Sequence, residues 1–152
     1  MVQKVIRLLA EIGSGLGYEV PAGERSIVVD RIYRIRYRPD LIWNREGEFR
    51  FFFEFEPRFQ PKKVIASLVL ASELAKKVSP REKLTVLFLV LPKTSQTEER
   101  RVENILEFLR KRFSISENLE TKVLVLPRQV TKSSLEVLLK KKEVGGEREC
   151  LG

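Results

Sequence analysis

The residues best suited to chemistry in this chain are acids in an unexpected place. Glu54 and Glu56 lie inside "FRFFFEFE", one of the most hydrophobic and strand-like stretches of the sequence. Burying an ionised carboxylate without a partner costs on the order of several kcal/mol. Either these acids form the watered side of an amphipathic strand, or something cationic meets them. Asp40 precedes them, directly after Pro39, and Lys62 and Lys63 follow. Other chemistries are closed off. The chain has no histidine, which excludes a His metal ligand, an imidazole base and a Ser-His-Asp triad. Its single cysteine, Cys150, lies near the C-terminus, so an internal disulfide and a Cys-cluster zinc site are excluded too. Paired carboxylates without His or Cys suit a hard divalent cation such as Mg²⁺ or Mn²⁺. Such an ion lowers the pKa of a bound water and stabilises charge on a phosphoryl oxygen.

The elements that must position these acids can be read from periodicity. Residues 3–13 place Val5, Ile6, Leu8, Leu9 and Ile12 on one helical stripe, which "GSGLG" ends. That Gly-rich run follows a helix and precedes no Lys-Ser/Thr, so it reads as a helix stop and turn rather than a phosphate loop. Residues 18–44 read as extended, with Arg34, Arg36, Arg38 and Asp40 alternating along one strand face. "NREGE" is a tight turn, and "FRFFFEFE" returns as the second strand of a hairpin. Its period places Phe51, Phe53 and Phe55 on one face and Phe52, Glu54 and Glu56 on the other. Pro61 opens a helix to about Lys77. "KLTVLFLVLP" reads as a strand covered on both faces. A helix follows with Val102, Ile105, Leu106, Leu109 and Phe113 inside, then the strand "TKVLVLP" and the helix "SSLEVLLKKK". From Lys140 the composition suggests fraying. The expectation is an α/β fold, a mixed sheet flanked by helices, with one domain over 1–140 and a flexible tail over 141–152.

Composition speaks to partners. A net charge of +8 and the pI near 9.8 favour a polyanion such as nucleic acid. Asn and Gln total seven against 29 Lys plus Arg, which hints at a thermophilic source. The longest apolar stretches fall far short of a bilayer span, and no signal peptide is visible, so a soluble, cytoplasmic protein with no membrane partner is expected.

"RPDLIW" followed by "FFFEFEPRFQPKK", between two helices, resembles the PD-(D/E)XK nuclease superfamily, which includes restriction endonucleases and archaeal Holliday-junction resolvases. The resemblance covers roughly residues 1–91. It implies a restriction endonuclease-like αβββαβ core, here with a C-terminal αβα extension, and a metal-dependent nuclease acting on DNA. Pro39-Asp40 matches the PD element and Glu54 the acid that opens the second element. The family's lysine is replaced by Glu56, and Lys62 or Lys63 from the following helix would supply it. By resemblance, Asp40 and Glu54 would bind metal with the Phe55 carbonyl, and Glu56 is a further candidate ligand nearby. Lys63 or Lys62 would orient water or stabilise charge, and Glu11 would assist from the first helix.

Each residue also has a plainer reading. Asp40 would follow Pro39 at a strand bend, Glu56 would be a strand end paired with Arg58, and Lys62 and Lys63 would be an ordinary basic first turn. Arg34, Arg36 and Arg38 would either grip phosphates leading into the site, with Arg58 as a further nucleic-acid contact, or pair with acids on the adjacent strand. Three functional classes stand open: a Mg²⁺- or Mn²⁺-dependent nuclease, a nuclease-fold DNA-binding module without catalysis, and an interaction protein that forms a homodimer through its apolar strands.

Overall fold

The computed structural model describes residues 1–22, 26–77, 82–91 and 95–145, with the side chains of 95–98 excepted. The elements run α1 (Val2–Gly15), β1 (Ile27–Asp30), β2 (Ile35–Tyr37), β3 (Leu41–Arg45), β4 (Glu48–Glu56), α2 (Pro61–Ala75), β5 (Leu84–Val90), α3 (Ser95–Arg112), β6 (Leu119–Val125) and α4 (Lys132–Lys141). The architecture is mixed α/β. Its main sheet has the order β3-β4-β5-β6, with β3 antiparallel to β4 and the other neighbours parallel. Cys150 and the rest of 146–152 lie outside the described residues.

β4 is central, as its sequence requires. Phe51, Phe53 and Phe55 enter one core with Val5, Leu9 and Ile12 of α1 and Leu135 and Leu139 of α4. Phe52 enters the opposite core with Val64 and Leu68 of α2 and Val102 and Leu109 of α3. The turn into β4 works because Glu46 and Gly47 both take positive φ, 53° and 76°, the hand that matches a twisted hairpin. Trp43 locks α1 to β3. Its indole nitrogen donates to the Leu9 carbonyl at 3.2 Å, and Gly13 permits the approach because any Cβ there would collide with the ring.

Three expectations need correction. The stretch 18–44 is not one extended strand. Arg31–Arg34 form a turn, β1 and β2 pair in a separate two-stranded sheet, and only β3 joins the main sheet. Asp30 causes the break by accepting the Tyr33 N–H at 2.9 Å, a local bond that competes with the strand ladder. Phe113 is exposed rather than inside, because it lies past the end of α3 and packs edge-on against exposed Phe108. Finally, fraying does not begin at Lys140. Val144 is buried in the α1 core, and Lys122 Nζ donates to the Lys142 carbonyl at 2.6 Å.

Candidate functional site

Asp40 stands at the start of β3, not late in a strand. Its backbone N–H donates to the Phe53 carbonyl at 3.0 Å, and its Oδ2 accepts the Phe55 N–H at 2.7 Å. The side chain therefore replaces a strand carbonyl where β3 begins, and Pro39 fits the preceding position because it is asked for no ladder N–H. Since Leu41 faces Phe53 in the antiparallel register, Asp40 comes opposite Glu54. The last part of β4 outruns β3, and Glu54 and Glu56 reach the carboxyl end of the parallel pair β4–β5.

Both glutamates are buried, at 4% and 2% exposure, so the watered-face reading is excluded. They point toward α2, which carries their partners. Ser67 Oγ donates to Glu54 Oε2 at 2.5 Å, and Lys63 Nζ lies 3.4 Å from Glu56 Oε1. The pair explains an oddity of α2, whose first turn holds two lysines and no acid against the preference of the helix dipole. Glu56 supplies the missing negative charge from the sheet.

Burial pushes the Glu54 carboxyl from 4.5 up to about 7, with the charges of Asp40 and Glu56 adding to the rise. The Ser67 bond and the Lys63 charge oppose it without cancelling it. Burial, then the charge of Glu54, also raises the Tyr37 phenol well above its ordinary value. Tyr37 Oη sits beside Glu54 and Ser67, yet makes no hydrogen bond of good geometry among the described residues. Ser67 and Tyr37 were not singled out from the sequence. The signal for Ser67 was a hydroxyl one helical turn after Lys63, in the otherwise apolar run "VIASLVLA".

The structure thus brings together Asp40, Glu54, Glu56 and Lys63. Lys62 is exposed in the first turn of α2 and has no ion pair or hydrogen bond among the described residues. Glu11 is exposed on α1, the helix over the Phe51-Phe53-Phe55 face, whereas Glu54 points to the other face. Arg58 is exposed in the bend after β4, and among the described residues Glu56 has an ion-pair partner in Lys63. Arg34, Arg36 and Arg38 do not share one strand face. Arg34 lies in the β1–β2 turn at φ 57°, Arg36 in β2 donates to Ser26 Oγ at 2.6 Å, and Arg38 lies between β2 and β3.

As a cation site the cluster is small. Among the described residues no group of three or more His, Cys, Asp or Glu side chains converges to hold a metal. Asp40 and Glu54 remain as two carboxylates opposite each other, beside the buried Tyr37 hydroxyl. Their chemistry fits a hard divalent ion with water completing its shell. Burial first, and then the charges of Asp40 and Glu56, keep the Glu54 pKa raised despite Lys63 and Ser67. No family model, no curated protein and no solved structure matches this chain. Among the described residues, no helix is long and apolar enough to cross a membrane.

Proposed function

We propose that the protein is a Mg²⁺- or Mn²⁺-dependent nuclease that hydrolyses phosphodiester bonds, in DNA as the expected substrate. The observation that carries this reading is the convergence of Asp40, Glu54 and Lys63 at the carboxyl end of β4. Asp40 and Glu54 would hold the ion together with the Phe55 carbonyl. When bound, the ion would supply an activated water and stabilise charge on a phosphoryl oxygen. The ammonium of Lys63, paired with Glu56, would orient that water or stabilise the developing phosphate charge. Ser67 fixes the Glu54 carboxylate, so that its orientation does not depend on the ligand.

The Lys63–Glu56 pair also favours a second reading, a nuclease-fold module that binds DNA without cutting it, since the pair neutralises the amine that catalysis would use. One experiment separates the two. The catalytic reading expects Mn²⁺ to raise the melting temperature at pH 8, Asp40→Ala to abolish that rise, and the wild-type protein alone to cleave DNA. DNA binding with neither a metal shift nor cleavage supports the module.

A further inference from the structure

The β1–β2 turn presents the two most exposed large hydrophobic side chains of the described residues, Ile32 at 85% and Tyr33 at 77%. Exposed Arg31 and Arg34 flank them, and exposed Arg38 lies just beyond β2. The hairpin is not loosely attached. Tyr37 at its root is buried in the core under α2, Ile27 and Val29 pack against that core, and Asp30 ties the turn at Tyr33. An anchored hairpin with an apolar tip and a cationic collar leaves the tip without a partner in the isolated chain.

Resting on the nucleic-acid reading above, we propose that this tip is a wedge for branched or frayed nucleic acid. Tyr33 stacks on an unpaired base, Ile32 enters the opened step, and Arg31, Arg34 and Arg38 hold the flanking phosphates. Bases offer flat faces that accept aromatic and aliphatic side chains, and phosphates take guanidinium groups. A protein pocket would accommodate Ile32 and Tyr33 but would have to meet three exposed arginines as well, so the charge selects a polyanion. The covalent path constrains the geometry further. Seven residue steps join Tyr33 to Asp40, a reach of at most ~25 Å.

The test uses the full chain in EDTA, so that binding is read apart from cleavage, with a Y-shaped DNA carrying 2-aminopurine in the last base pair before the branch, the step that Ile32 would unstack. The wild type is expected to raise the fluorescence several-fold and to prefer the branch to linear duplex by about tenfold or more. Ile32→Ser with Tyr33→Ser should lose both effects while keeping the melting temperature and the salt dependence. Arg34→Ala with Arg38→Ala should flatten the slope of log affinity against log salt by roughly two units. An unchanged fluorescence in the wild type, or full branch preference in the double-serine variant, overturns the wedge. So does self-association in sedimentation that the double-serine variant abolishes, which would make the tip a contact between copies of this chain. Branch binding with no metal shift and no cleavage sinks only the catalytic reading, whereas no DNA binding at low salt sinks both.

Discussion

β4 has two faces that differ in one respect. Phe51, Phe53 and Phe55 enter a core built from apolar groups of α1 and α4, while Phe52 shares its side with two buried carboxylates under α2. The first face is held by area removed from water and by close packing. The second gives up some of that stabilisation, because Glu54 must lose its hydration beside Asp40 and Glu56. One strand thus carries stability on one side and a strained electrostatic site on the other. Functional sites are where such local inconsistency is expected.

The largest test of that contrast is Phe53→Ala. Phe53 is fully buried and packs 4.8 Å from Trp43 between ring centroids, so chemical denaturation should show a loss of roughly 3–5 kcal/mol. A loss below about 1 kcal/mol would erase the difference between the faces.

Glu54→Gln should act in the opposite direction. The folded protein holds the Glu54 proton up to about pH 7, whereas an unfolded chain releases it near 4.5. Between those values the folded state binds more protons, so its stability is full below 4.5 and falls as pH rises through 7. The shift corresponds to at most roughly 3 kcal/mol. Removing the carboxylate should therefore stabilise the metal-free protein at pH 8 and flatten its melting temperature between pH 5 and 7. A divalent ion at Asp40 and Glu54 should restore stability to the wild type at high pH and do nothing for the variant. A wild-type melting temperature that rises from pH 5 to 7 without metal would contradict the buried-acid account.

Lys63→Ala sharpens the comparison within α2. It should reduce cleavage by about 100-fold, the scale of one positioned catalytic group, while the Mn²⁺ shift persists. Lys62→Ala, a residue earlier but turned to solvent, should leave the rate within about twofold. Equal effects would mean that neither amine is specifically placed.

Tyr37→Phe is the smallest change. Its hydroxyl makes no well-formed hydrogen bond, so stability should move by less than about 1 kcal/mol, and upward if at all. A larger loss would show that the phenol bonds to Glu54 or Ser67 beside it, or to a bound water or ion, in solution.

Much of this contrast was legible in the residues. The period of two in "FFFEFE" separated the faces of β4, Pro61 marked the start of α2, and the Glu46-Gly47 turn closed the hairpin. The failures cluster where a local bond competes with a pattern. An alternating run from Ile32 to Ile42 looked like one strand, but Asp30 could turn the chain at Tyr33, and that separated the arginines that alternation had aligned. Val144 was hidden by its charged neighbours, since one apolar residue carries no periodicity.

By itself the sequence determined the element types, the central place of β4 and the short inventory of usable chemistry, because periodicity, turn residues and the absence of histidine are local facts. Only the tertiary structure decided which groups meet. Whether Lys62 or Lys63 faced the acids depended on the rotation of α2 over the sheet, and burial of Val64 and Leu68 sets that rotation. The same rotation placed Ser67 on Glu54, and the separate β1–β2 sheet placed Tyr37 beside it. Side-chain reach from one element to another depends on packing angles, and no spacing along the chain encodes them.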